Sequence, residues 1–198
     1  MRDSAGNVFR LLGNLLDWSR TQQGLSAFVP ESILLMPKIS ECIALIEEAA
    51  TKKEIAIKYF IHPELEIFAD SNMLGAIMRN LVSNAVKFTP KGGEVMISAE
   101  SMADNSVEIS VSDTGIGMNK EMIDHLFRLD MNTNRKGTDG EYSTGLGLII
   151  CKDFIKKHGG TLRIESDPES ASGGNGSVFT ITFPGKPEHY EEIAGSNI

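Results

Sequence analysis

The chain has 198 residues, 41 % of them hydrophobic and 23 % charged, and a net charge of -8. This is the composition of a globular chain long enough to bury a core, not of a disordered one. The acidic balance argues against a nucleic-acid partner, yet local cations and backbone N–H groups still let an acidic protein hold an anionic nucleotide. Cys42 and Cys151 lack metal-ligand spacing and read as small buried hydrophobes in a reducing compartment. No run of about 18 apolar residues is present to span a bilayer and no signal peptide is visible. The expectation is a cytoplasmic chain without membrane contact; an anchor, if the parent protein has one, lies elsewhere.

Val8, Leu11, Leu12, Leu15, Leu16 and Ser19 form one stripe at helical spacing, which ends at Gly24. That helix either lies on its own domain or belongs to a bundle whose other helices are absent. Pro37 suits the first turn of a second helix with Ile39, Ile43, Ile46 and Ala50 on its buried face. Residues 55–61 alternate and are rich in β-formers, predicting a strand. Asp70 or Ser71 caps a third helix that runs to about Phe88 and is stopped by Pro90 and Gly92. Strands follow at 94–100 and 107–112, joined by a polar turn at Asp104 and Asn105. Residues 127–144 are polar and predict a long mobile loop, a length that usually serves function. A fourth helix starts near Leu146 and ends at His158, and strands at 161–166 and 177–183 close the pattern. The tail after Pro184 reads as loose. This order predicts an α/β sandwich of two layers, a mixed sheet with helices on one face.

Three places carry chemistry. Asn80, Asn84 and Lys87 are spaced four and three apart, so they share one face of the third helix. Amide oxygens one turn apart suit a magnesium ion that also binds phosphate oxygens, and Lys87 suits a phosphate as a point charge. Asp113 ends a strand and opens an Asp-x-Gly-x-Gly turn with Gly115 and Gly117. A carboxylate there accepts from the exocyclic amine of adenine, and the glycines let a base approach the backbone. Gly145 and Gly147 open the fourth helix, whose N–H groups and dipole cradle phosphate, with the Thr144 hydroxyl beside them. Each signal alone is weak; together they converge on one ligand, ATP with magnesium.

The set Asn80/Asn84/Lys87, Asp113/Gly115/Gly117 and Thr144/Gly145/Leu146/Gly147 resembles the N, G1 and G2 boxes of sensor histidine kinases. These belong to the gyrase, chaperone, histidine kinase and MutL (GHKL) superfamily, and Phe127 matches the start of the family's F box. The resemblance implies the Bergerat fold, with an N-terminal remnant of a dimerisation and phosphoacceptor hairpin at 1–24. The ATP-binding catalytic domain would occupy 25–184, with a lid at about 127–144, and a loose tail or linker 185–198. It implies Asn84 as main magnesium ligand with Asn80 assisting, Lys87 near phosphate, Asp113 on adenine, and Thr144, Gly145, Leu146 and Gly147 near the phosphates. It implies phosphotransfer to a histidine in a homodimeric hairpin, and a response regulator receiver domain as partner. His62, His125, His158 and His189 lack the acceptor context, so that histidine is expected outside this chain. One departure is Leu129, Asp130 and Met131, standing where the F box has its second Phe.

Two other functions fit parts of the pattern. An ATP-hydrolysing clamp of the gyrase kind needs Glu where Asn80 stands, because an amide cannot act as a general base. A serine kinase of the anti-sigma class is disfavoured by the bundle-like helix at 8–19.

Overall fold

A computed structural model describes residues 28–127, 136–141, 145–168 and 176–186. The expected helix at 8–19, Thr144, the Leu129–Met131 departure, His189 and most of the tail lie outside the described residues.

Five strands form the main sheet: β2 (Ala56–Ile61), β4 (Glu94–Ser101), β5 (Val107–Asp113), β6 (Thr161–Asp167) and β7 (Gly176–Phe183). Their order is β2-β4-β5-β7-β6; β2 and β4 run parallel and every other pair is antiparallel, giving the mixed sheet that the sequence predicts. Alternation decides the faces. Val95 and Ile97 of β4, Ile109 and Val111 of β5, and Phe179 and Ile181 of β7 are buried on one side. Ser110 and Thr180, paired across β5 and β7, point the other way and sit 3.1 Å apart through their hydroxyls.

The helix α3 (Ser71–Phe88) covers the buried face with Leu74, Ile77, Met78, Leu81 and Ala85. It lies between α1 (Leu35–Ala44) and α5 (Leu146–Lys157). Asp70 caps it, accepting from the N–H groups of Asn72 and Met73 at 3.0 Å each. Cys42 and Cys151 are buried free thiols, as expected, and burial pushes the Cys151 thiol up to about 12.

Three features depart from the sequence reading. The second predicted helix is two: α1 begins before Pro37, and α2 (Glu47–Lys52) follows a break at exposed Leu45. The break turns the chain so that Ile46 and Ala50 still reach the core. A separate two-stranded ribbon, β1 (Pro30–Leu34) against β3 (Glu66–Asp70), was not expected. Proline at the first position of an edge strand is compatible with pairing, but it hides the strand from pattern reading. A short helix, α4 (Lys120–His125), is capped by the Asn119 side chain, which accepts from Met122 N–H at 2.8 Å.

His158 ends α5 in a buried place between the rings of Phe28 and Phe183. Its Nε2 accepts from Asp70 N–H at 2.9 Å and its Nδ1 lies 2.7 Å from Phe154 O, so the fitting tautomer is neutral with the proton on Nδ1. Burial pulls its pKa below 6.5, against the opposing pulls of the Phe154 carbonyl and the Asp70 carboxylate. A depressed folded pKa means that the unfolded chain binds the proton first. Stability is therefore full above 6.5 and is lost as pH falls through the folded value, by at most about 1.4 kcal/mol per pH unit. Asp113 titrates in the same range with the opposite sign, so the check is the difference between chains: by urea denaturation, the stability of the parent relative to His158→Gln should fall between pH 7.5 and 5, and a difference that does not change with pH would refute the assignment.

Candidate functional site

The helix α3 places Asn80, Asn84 and Lys87 half-buried along one side. Asn80 Nδ2 donates to Ala76 O at 2.9 Å, which fixes the carboxamide and leaves Oδ1 as an acceptor. That oxygen faces the start of α5, where a Cβ built on Gly147 would stand 2.6 Å from it. Only glycine lets the two helices meet with the amide in this pose, so the first and third sequence signals share one place. An amide oxygen oriented in this way, beside a helix N-terminus, fits a cation that is also bound by phosphate. Gly145, in the left-handed region at φ 72°, precedes the first turn of α5, and no side chain caps that turn.

The second signal arrives through the sheet. On β5 the inward positions are Val107, Ile109, Val111 and then Asp113, a carboxylate standing where the alternation would place another core residue. Its Oδ1 accepts from Gly115 N–H at 2.8 Å and from Ser177 N–H at 3.2 Å. Both of these donors meet Oδ1, and among the described residues none meets Oδ2, which is left as an open acceptor. Burial pushes the Asp113 carboxyl up to about 6, against the opposing pulls of the Gly115 and Ser177 N–H groups. The turn after Asp113 is bound to the end of α3, because Ile116 N–H donates to Phe88 O at 3.1 Å. Gly117 has φ 56°, and a Cβ on it would stand 1.7 Å from Asp167 O, so this glycine is demanded by the protein's own backbone. Met118 N–H closes the turn on Ser166 Oγ at 2.8 Å.

Phe127 is half-buried, with Lys152 Nζ 4.5 Å from its ring centre. Leu146 is the first residue of α5. His62 is exposed and His125 ends α4. The loop predicted at 127–144 is not loose throughout. Residues 137–141 form a turn, Gly137 N–H to Glu141 O at 2.9 Å, and Thr138 N–H donates to Lys87 O at 3.1 Å. Sequence reading missed Ser177, Ser166, Thr138, Glu141 and the buried Lys53. Strand register points to Ser177, which pairs with Asp113; nothing in the pattern marks Lys53.

A central helix bearing two amides, an acidic residue on the sheet's core row and a glycine-opened helix against the first of those amides define a GHKL-type nucleotide-binding domain. The chain belongs to the family described as histidine kinase-, DNA gyrase B-, and HSP90-like ATPase, whose profile matches residues 69–187. Within it, the relatives place the chain with the histidine-kinase catalytic domains. The cell-division control histidine kinase PdhS of Brucella suis is 32 % identical over 190 residues, covering 91 % of this chain and 18 % of that protein. The chain thus spans about a fifth of the length of the curated relatives it matches. The catalytic domain of the histidine kinase ThkA is 29 % identical with a TM-score of 0.67, covering 82 % of this chain and 100 % of that one. Full-length ShkA, solved in complex with AMPPNP, is 27 % identical with a TM-score of 0.70, covering 92 % of this chain and 37 % of that one. No described helix is long and apolar enough to cross a membrane.

Proposed function

We propose that this chain is the ATP-binding catalytic domain of a two-component sensor kinase, which passes the γ-phosphate of magnesium-ATP to a histidine on a dimerisation hairpin. The observation that carries this reading is the convergence on α3: Asn80 Oδ1 faces Gly147 on α5, while Phe88 O holds the turn that follows Asp113. Asn84 and Asn80 would hold a magnesium ion through their amide oxygens, and Lys87 would meet a phosphate. The N–H groups of Gly145, Leu146 and Gly147, with the Thr144 hydroxyl, receive the phosphates. Asp113 Oδ2 accepts from the adenine amine, Gly115 and Gly117 shape the floor under the base, and Phe127 borders the nucleotide. A magnesium ion held there would supply positive charge that offsets the phosphates. The residues then act by positioning: they aim the γ-phosphate in line with an imidazole nitrogen. A neutral imidazole is already a nucleophile, so the site needs no strong base, and Asn80 supplies none.

The hairpin would make the parent a homodimer, and a response regulator receiver domain would take the phosphoryl group onward. We place the domain on the cytoplasmic side, where ATP is. The test is transfer from γ-labelled ATP. The chain should label a supplied hairpin that carries an acceptor histidine, in an acid-labile linkage, and should not label itself. Acid-stable labelling of serine or threonine would move the function to the anti-sigma class. Multiple-turnover hydrolysis lost on changing Asn80, without transfer, would move it to the clamp class.

A further inference from the structure

Lys53 follows α2 and has the burial of a core residue, its side chain only 6 % exposed. A lysine so buried has to place its charge on partners. Its Nζ lies 2.9 Å from Val86 O and 3.0 Å from Lys87 O, the carbonyls of the last turn of α3. It also lies 2.6 Å from Thr138 Oγ1 and 3.2 Å from Glu141 Oε1. The first two contacts set a cation at the negative end of the helix dipole. The other two reach a different part of the chain, the turn at 137–141. That turn grips the same helix end independently. Thr138 Oγ1 lies 3.2 Å from Lys87 O and 3.0 Å from Thr89 O, and Glu141 Oε2 accepts from Asp139 N–H at 2.9 Å. The backbone of Lys53 is held too, its carbonyl accepting from Gly92 N–H at 2.9 Å. Lys53 is thus a fixed post joining the end of α3 to the turn.

The turn in its place confines Lys87. A Cβ built on Gly137 would stand 2.7 Å from Lys87 Cγ, so the turn lies directly against the stem of that side chain. We propose that Lys53 is a positioning residue for nucleotide binding: through Thr138 and Glu141 it holds the 137–141 turn against Lys87 and so keeps the Lys87 ammonium on the phosphates. This rests on the ATP-binding reading above. Without the post, only a fraction of molecules carries the turn in place, and apparent affinity falls by that fraction. Once ATP is bound and Lys87 engaged, the chemical step is unaffected.

The experiment measures the ATP dissociation constant by calorimetry with magnesium, and the rate of transfer to a supplied acceptor hairpin at saturating ATP. Lys53→Met, Glu141→Gln and Thr138→Val should each weaken ATP, by up to about tenfold, the most that losing one charge-assisted contact takes from the population with the turn in place. The saturated rate should stay within about twofold of the parent chain. The double variant of Lys53→Met with Glu141→Gln should bind no more weakly than Lys53→Met alone, because both changes undo one contact. Lys53→Met leaves the Val86 carbonyl unpaired and can fail to fold, in which case the two partner variants decide. Unchanged ATP affinity in Glu141→Gln and Thr138→Val chains with parent-like thermal transitions overturns the proposal, as does a lower saturated rate at unchanged affinity. If the parent chain itself does not bind ATP, the broader reading fails instead.

Discussion

Asp113→Asn should raise the melting temperature of the nucleotide-free chain and at the same time remove its affinity for ATP. The two effects have one cause. Asp113 sits on the core row of β5, and burial holds its carboxyl at about 6 instead of 3.8. A displacement of that size corresponds to roughly 3 kcal/mol of folding free energy once the group is ionised. The folded pKa lies above the unfolded one, so Asp113 favours the folded chain most below 3.8, and this contribution is lost as pH rises through about 6. Asparagine removes the ionisation and keeps an oxygen for the N–H groups of Gly115 and Ser177. A domain of this size gains about 2–4 °C per kcal/mol, so a rise of about 6–12 °C is expected at pH 7.5. The gain over the parent should shrink as pH drops from 6 towards 4.

Affinity moves the other way. With its oxygen kept by Gly115 and Ser177, the new amide must turn its NH2 to where Oδ2 now stands. It then presents a donor to the adenine amine, also a donor. A site built around one hydrogen bond loses on the order of 100-fold or more when that bond becomes a clash of like groups. Scanning fluorimetry and calorimetric titration on the same two samples check both halves. A lower melting temperature at pH 7.5, or an ATP affinity within threefold of the parent, would show that the carboxylate is not the buried ligand group described here.

The parts legible in the sequence are those whose signals are local. α3 spans Ser71–Phe88, close to the range read from its apolar period, its Asp70 cap and the Pro90 stop. β4, β5 and β7 announce themselves by alternation, and each has the hydrophobic inner face that alternation implies. β1 and β3 do not, since each is five residues long and their pairing joins segments far apart in the chain. The break at Leu45 is invisible for a different reason: the helical spacing of Ile39, Ile43, Ile46 and Ala50 continues across it, and no glycine or proline marks it. At the proposed site, the candidate residue types are readable because their spacing falls within single motifs. What orients them is not. Lys53 stands beside Lys52 and reads as one of two solvated cations, yet its partners Thr138 and Glu141 lie 85 and 88 positions away. The burial that raises the Asp113 carboxyl likewise depends on β7 coming alongside β5.

Gly147→Ala isolates the other half of the site, because it should leave the fold intact and damage only the metal-dependent part of binding. Gly147 is the second residue of α5, where alanine is the better helix former by up to about 1 kcal/mol. Against that gain, the added Cβ would stand 2.6 Å from Asn80 Oδ1 and 3.3 Å from Asn80 Cγ. The obstruction is the far end of a side chain, not backbone, so Asn80 can swing aside. In doing so it gives up its bond to Ala76 O, a loss of about 1 kcal/mol. The two changes nearly cancel, and the melting temperature should stay within about 3 °C of the parent. The displaced oxygen no longer faces the α5 N-terminus, so ATP affinity in magnesium should fall about 10- to 100-fold, the loss of a ligand to a charged group. Asn80→Ala should produce the same loss, and the double variant should be no weaker than either, since both changes remove one oxygen. With magnesium chelated, the gap between parent and variants should close. Losses that add in the double variant, or that persist without the metal, would mean that the alanine methyl obstructs the phosphates themselves and that Asn80 is a bystander.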